Sequence, residues 1–430
     1  MKIGAAVANP AIARLLAAGL ISGLGDWLLT IALPIYVYGQ TRSTLSSATT
    51  MVLELSASLV CGQFAGLAVD RFDRRLLIVW TNTAQAALLL PLLAVHGASD
   101  LWLIYVVSLV QAALGTLSGP AESALIPSLA DADDLVRVNS AVSVANDLAK
   151  LIGAAASGVV LAETGLGGVV AVDAASFLLA AALLAVRFPT STRPEIHAET
   201  GPSRWQRWRE GLRQVRRATA LRNVFVIVVI NQLAQGIALA LIVAFFVEDL
   251  HRGSAAVGVF RSFQVLGTLP AGIVIGIFAA RLRPERILKI SLVAATVIEL
   301  FIWNGPSITQ WFGYYLILEV ALGLPGIAAF VAFSTLLQKA TPAAYRGRVF
   351  SLVGASSSLA MLVSVLIGGS LGEAVGPRTL MNCAVALEAL TALAAIILFR
   401  TPARTETGTP TRSAAVAAES GVSEADSQAV

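Results

Sequence analysis

Apolar runs of about twenty residues recur along nearly the whole chain, and they constrain the fold more than any other feature. Twelve are legible, at 11–38, 44–69, 76–95, 100–126, 137–162, 166–186, 222–247, 255–280, 286–304, 309–337, 348–371 and 378–399. Each is long enough to cross a hydrocarbon core of ~30 Å as a helix. Lipid offers the backbone no hydrogen-bond partner, so a spanning segment is a helix or part of a closed barrel. These runs are far longer than barrel strands and lack period-two alternation. Only 13% of the residues are charged, about half the usual share for a chain whose surface faces water. The pattern predicts an all-α membrane protein with 12 transmembrane helices.

The connections divide into two sets. One holds few cations, namely Arg42, Arg252 and Arg378. The other holds Arg71, Arg74, Arg75, Arg281, Arg283, Arg286, Lys289, Lys339, Arg346 and Arg348, and the arginine-rich central connection lies on the same side. The positive-inside rule makes that side cytoplasmic and puts both termini there. The expected division is an N-terminal six-helix bundle at 1–187, a linker at 188–221, a C-terminal bundle at 222–400 and a disordered tail at 401–430. Pro189, Pro194 and Pro202 mark the linker. The stretch from Trp205 to Leu212 reads as an amphipathic helix on the membrane surface, with Trp and Leu inward and Arg toward anionic lipid. Arginine beside a span is an ordinary topology signal, so nucleic acid is not an expected partner. No cleavable signal peptide is read, because the first apolar run continues through Pro34 as a span. Cys61 and Cys383 lie inside apolar runs and the three histidines are scattered. No disulfide framework, metal site or cofactor is expected.

The halves repeat at a spacing of about 210 residues. Gly66 and Arg71 match Gly276 and Arg281. One residue further apart, Gly115, Ser123, Arg137, Val138, Ser140, Gly158 and Gly165 match Gly326, Ser334, Arg348, Val349, Ser351, Gly369 and Gly376. The shared letters are mostly glycine, serine and arginine, which coincide by chance less readily than apolar ones. Two six-helix repeats in parallel orientation are the expected architecture.

The loop after the second span reads Gly66-Leu67-Ala68-Val69-Asp70-Arg71-Phe72-Asp73-Arg74-Arg75. It resembles the major facilitator signature G-x-x-x-D-R-x-x-R-R. The resemblance implies a gate in which Asp70, Arg71 and Arg75 lock the inner end, with Gly66 allowing close helix approach. Read without it, the arginines set topology alone. In the second half Ala280 stands where the acid would be. Gly25-Asp26-Trp27-Leu28-Leu29, the stretch from Pro120 to Pro127 with Asn139-Ser140, and Asp173-Ala174-Ala175-Ser176-Phe177 look like the drug:proton antiporter branch. That branch includes macrolide exporters, Tap-like multidrug pumps and enterobactin exporters. The Gly-Pro motif of span five is present with Ala154 in place of proline.

Ionisable groups within spans normally face protein or a wet cavity, because each costs about 2.5–3.5 kcal/mol at the bilayer centre. Asp26 lies in the middle of the first span, which the resemblance places on the cavity. It is a candidate proton site or partner for a cationic substrate; the alternative is a structural carboxylate. Asp147 and Lys150, three apart on one helix face, are a coupling switch or an inert ion pair. Glu54 and Glu319 are cavity candidates. Glu122, near the inner end of span four, is assigned to gating or a helix interface. Arg261 either snorkels or meets substrate. Asp173, Glu299 and Glu388 fall on spans six, nine and twelve, peripheral in the family, and read as structural. Asn231, Gln232, Gln235 and Gln111 are polar lining or helix contacts.

The expected function is secondary active efflux of small amphipathic molecules in exchange for protons, by alternating access. The alternative is an importer or uniporter of a nutrient. No P-loop pattern and no convergent catalytic set is present, so an enzyme is not expected. The resemblance implies a bacterial plasma membrane, and the chain reads as a monomer whose partners are its substrate, protons and lipid.

Overall fold

The computed structural model describes residues 9–130, 134–186, 204–278, 283–342 and 345–399. The proline-rich linker, the tail and the Ala280–Arg281 copy of the loop motif lie outside these. The helices are α1 (Pro10–Thr41), α2 (Thr44–Arg71), α3 (Arg74–Leu89), α4 (Leu101–Leu125), α5 (Leu135–Ala185), α6 (Arg204–Arg217), α7 (Thr219–Ala244), α8 (Ser254–Phe278), α9 (Pro284–Asn304), α10 (Phe312–Ala340), α11 (Arg346–Val375) and α12 (Pro377–Leu398). Ten helices among the described residues are long and apolar enough to cross a membrane. One of the ten is α5, whose 51 residues would run roughly 75 Å at 1.5 Å per residue. Spans five and six therefore share this helix, broken at Gly165.

Local sequence accounts for the helix ends. Asn9 caps α1 by accepting the Ala11 N–H, with Pro10 at the first position. Ser43 caps α2 and Asp73 caps α3 by the same side-chain bond, to the Ser46 and Leu76 amides. Gly165 and Gly376, partners in the sequence repeat, have φ of 66° and 87°. Both lie between consecutive spans, where only glycine takes a positive φ without steric cost. The repeat is thus a repeat of backbone geometry.

The helices gather into two groups. In the first, α1 packs on α5 and α2 on α4, with α3 against both α4 and α5; in the second, α7 packs on α11 and α12, and α10 on α8 and α9. The groups meet through α5 with α8 and through α2 with α11. The amphipathic stretch is a helix, α6, packed on α7 and α11.

We call the end carrying Arg71, Arg283 and Arg346 the basic end, and the opposite one the far end. One apolar core includes residues of both groups, among them Leu33, Tyr38, Ala48, Leu241, Phe245 and Tyr315, and it occupies the far end. Two other cores lie toward the basic end, and each belongs to one group. The first is built around Leu15, Val69 and Leu125, the second around Val224, Leu288 and Val349. Among the described residues the groups are therefore joined at the far end and separate toward the basic end.

Close approach makes the far-end joint. A Cβ on Gly258 of α8 would lie 2.5 Å from the Ala154 carbonyl oxygen and 3.1 Å from Gly158 N on α5. A Cβ on Gly369 of α11 would lie 2.6 Å from Ala48 Cβ on α2. By the offset of the repeat, Gly158 corresponds to Gly369 and Ala48 to Gly258, so the two joints are copies of each other. Small residues let helix backbones approach within a membrane in this way. Thr44 Oγ1 donates to the Gly369 carbonyl at 2.7 Å, and the Tyr38 hydroxyl donates to Glu248 across the same end.

Candidate functional site: two paired cavities and a charged seam

Each group encloses a cavity. The first, about 370 Å³, lies among α1, α2, α3 and α4. It is lined by Asp26, Trp27, Thr30, Glu54, Ser58, Gln85, Ser108, Gln111 and Gly115, with apolar neighbours such as Leu29 and Leu33. The second, about 480 Å³, lies among α7, α8, α9, α10, α11 and α12. Its polar lining is Asn231, Gln232, Gln235, Gln264, Thr268, Glu299, Ser357 and Glu388, and its apolar wall includes Leu288, Leu292, Phe330 and Phe333. At the repeat offset Glu54 corresponds to Gln264, Ser58 to Thr268, Gln85 to Ala295, and Gly115 to Gly326, and every one of these lines its own cavity. The cavities are the same place in two copies of one fold, with different acids.

In the first cavity Asp26 is half-buried on α1 and faces Glu54 of α2. It is also within electrostatic reach of Glu122 and Asp173. Among the described residues no cation pairs with Asp26, Glu54 or Asp173. Such a set is balanced in a low-dielectric site by protons or by a cationic ligand. Gln111 and Ser108, both buried, have side-chain atoms with no partner among the described residues. A polar cavity with unengaged amide and hydroxyl groups can exchange hydrogen bonds with a guest.

Asp26 is held in place by glycine packing. A Cβ on Gly25 would sit 2.1 Å from Asp173 Oδ1 and 2.2 Å from Ser176 Oγ. Ser176 Oγ already donates to the Asp173 carbonyl at 2.8 Å. A Cβ on Gly153 of α5 would sit 2.5 Å from the Leu24 carbonyl. Overpacking of this kind costs about 1–3 kcal/mol. Gly25→Ala is expected to lower the unfolding temperature of the purified protein; an unchanged melting curve would show that α1 and α5 have slack.

A charged seam runs between the groups. Lys150 of α5 lies over the Trp27 ring, with Nζ 5.0 Å from its centroid. Lys150 is within electrostatic reach of Arg261 on α8 and of Glu319 on α10, and Arg261 is within reach of Glu319 and Glu299. This corrects one expectation. Asp147 and Lys150 form no ion pair: the one pair within 4.0 Å among the described residues is Arg137 with Asp134. Lys150 turns to an aromatic face on the neighbouring helix, an attraction that strengthens where water is scarce. Glu319 is buried and faces Arg261, so it belongs to the seam, outside both cavity linings.

The loop motif is divided in its contacts. Arg74 donates to the Ala124 carbonyl at the end of α4. Arg75 donates to the Leu184 and Ala185 carbonyls at the end of α5, at 3.0 and 3.1 Å. Both cover helix C-termini, where orphan carbonyls and the helix dipole favour a cation. Asp70 and Arg71 are exposed. The side-chain environment of Gly66 lies outside the description. Glu122 reaches toward Gly19 of α1 and lines a small crevice with Val142 and Asn146 of α5, so it sits inside the first group.

Sequence reasoning set Glu299 and Glu388 aside because spans nine and twelve are peripheral. Both line the second cavity, bridged by Gln235: its Nε2 donates to Glu388 Oε1 at 2.7 Å and to Glu299 Oε1 at 3.3 Å. The polar cluster at 231–235 was the available signal; its partners could not be read from spacing.

The family model described as Major Facilitator Superfamily matches residues 15–230 and 224–425. The uncharacterized MFS-type transporter YfiS of Bacillus subtilis (strain 168) is 26% identical over 381 residues, covering 84% of this chain and 87% of that protein. Macrolide efflux protein A of Streptococcus pyogenes is 20% identical over 364 residues, covering 83% and 88%. Among solved structures, that of nucleoside transporter NupG superposes with a TM-score of 0.71 at 14% identity, covering 91% of this chain and 99% of that one. Two matched halves, a fold shared along nearly the whole chain and cavities repeated in each half place the chain in the Major Facilitator Superfamily, as a membrane transporter and not an enzyme.

Proposed function

We propose that the chain is a twelve-span secondary exporter of small amphipathic molecules, working by alternating access in exchange for protons. The single observation that carries the mechanism is the distribution of cores: one shared at the far end, two separate toward the basic end. Rocking the groups about this arrangement exposes the interior alternately to each side. The count of twelve takes α5 as two crossings and adds α8. The basic end is assigned to the cytoplasm by the positive-inside rule, which makes the described conformation inward-open. Both termini, the segment 188–221 with α6 at the membrane surface, and the tail then lie inside. Bundles at 1–187 and 222–400 are the moving bodies of a monomer in a bacterial plasma membrane.

The direction rests on Macrolide efflux protein A, a relative along most of its length. Asp26, with Glu54 beside it, is assigned as the site loaded alternately by proton and substrate. Lys150, Arg261 and Glu319 form a seam whose pairing changes as the groups move. Asp147, facing Lys150 without bridging it, tunes that seam. Asp70 and Arg71 are the gate that closes in the opposite conformation, which fits their exposure here; Arg75 and Glu122 hold the helices that carry it.

Expression in a strain stripped of its own efflux pumps, followed by a screen of amphipathic drugs and dyes, tests the reading. Lower accumulation of at least one compound, restored by a protonophore, is expected. Higher accumulation on expression would make the chain an importer. Asp70→Ala is expected to slow transport about tenfold or more with normal membrane insertion. An unchanged rate would leave the motif a topology signal alone.

A further inference from the structure

We propose that the second cavity is a binding site of its own for an amphipathic organic cation, with the Glu388 carboxylate as the group that receives its ammonium. The inference rests on the transporter reading for its purpose, but its geometry stands apart from Asp26.

Glu299 and Glu388 come from different helices, α9 and α12, and are buried to 5% and 4% exposure. Their carboxyl groups lie within hydrogen-bond reach of each other. The Gln235 amide spans both, and the Trp303 indole N–H points to Glu299 Oε2 at 3.5 Å. The available cations do not cover the pair. Arg261 faces Glu299, but it also faces Glu319. The charged and polar groups acting on Glu388 are Glu299 and Gln235, and its Oε2 has no partner among the described residues. Two buried carboxyl groups in reach of each other share one proton, so the pair keeps a negative charge that no cation of the chain covers on the Glu388 side.

The rest of the cavity defines what fills it. Its volume of about 480 Å³ lies within the range of small-molecule sites. Phe330, Phe333, Leu288 and Leu292 offer an apolar wall, while Asn231 and Gln264 offer neutral polar contacts. No cationic side chain lines the cavity among the described residues, so an anion would meet only like charge. A primary or secondary ammonium on a hydrophobic body answers both the open Oε2 and the apolar wall. At the repeat positions of Glu299 and Glu388 the first group has Leu89 and Phe177, so this acid pair belongs to the second group alone.

Two probes with one body test this on the purified protein: dansylcadaverine, with a primary ammonium, and N-acetyl-dansylcadaverine, which is neutral. Saturable fluorescence binding of the amine is expected, at least about tenfold tighter than that of the acetylated probe, because charge-assisted hydrogen bonds are the stronger class. Glu388→Gln, which keeps shape and size, is expected to weaken the amine about tenfold or more and to leave the acetylated probe unchanged. The comparison of probes on the wild-type protein stands even if that variant fails to fold. Absent amine binding, equal affinity for both probes, or full affinity in a folded Glu388→Gln protein would overturn the site. So would loss of amine binding through Glu54→Gln in place of Glu388→Gln. If the amine binds through Glu388 but no proton-driven transport exists, the transport reading fails and the site stands. If transport is proton-driven and Glu388→Gln binds normally, the reverse holds.

Discussion

Asp26→Asn is expected to remove proton-driven transport, by at least about tenfold, in a protein that still folds and inserts. Asparagine matches aspartate in shape, so the packing of Gly25 against Asp173 and Ser176 is untouched. What is lost is the ability to exchange a proton or balance a cation. Asp26 faces the other acids of its group, Glu54, Glu122 and Asp173, with no cation paired to it among the described residues. An isolated ionisable group in a span costs about 2.5–3.5 kcal/mol. Its presence beside three more acids is hard to explain as packing alone. Removing one acid also relieves mutual repulsion, so a purely structural Asp26 would leave transport intact or improve it. Transport that stays both fast and sensitive to a protonophore in Asp26→Asn would remove this residue from the mechanism and direct attention to Glu54.

A leucine at Gly369 or Gly258 is expected to have an effect of similar size by a different route. At Gly369 the first added carbon meets Ala48 Cβ at 2.6 Å and Leu45 Cα at 3.3 Å; at Gly258 it meets the Ala154 carbonyl oxygen at 2.5 Å. Backbone atoms cannot swing aside as a flexible side chain does, so the groups must part at the far end. Each group keeps its own core toward the basic end, and the protein is expected to stay folded. Gly369→Leu should then abolish transport and raise labelling of a cysteine placed at Thr44 by an impermeant maleimide added from outside. Wild-type transport with unchanged labelling would mean that the far-end joint is not a closing surface.

The spans were legible because bilayer thickness imposes a length that apolar runs record directly. The repeat was legible through glycines such as Gly165 and Gly376, whose positive φ leaves little choice of residue. The joint between Gly369 and Ala48 is a contact between groups far apart in sequence, and spacing along one helix says nothing about it. The same limit explains Lys150. Three-residue spacing placed it beside Asp147, whereas the Trp27 face on a neighbouring helix holds it. The ordinal position of their spans gave no sign that Glu299 and Glu388 line a cavity. Their meeting point depends on the rotation of α9 and α12 about their own axes, and helices with apolar residues all round give no stripe from which to read it. Arg74 and Arg75 looked like topology or gate residues; that they cover the ends of α4 and α5 depends on where those ends lie in space.

The most direct test of a proton-driven exporter uses the purified protein in liposomes with DNA trapped inside, an imposed acid interior and ethidium added outside. Ethidium carries a permanent charge, so an acid lumen does not trap it passively, and its fluorescence rises on reaching the DNA. The expected result is uptake that depends on the gradient, stops with a protonophore and is absent in Asp26→Asn liposomes. Uptake at the same rate with and without the gradient, or none beyond that of empty liposomes, would contradict the account.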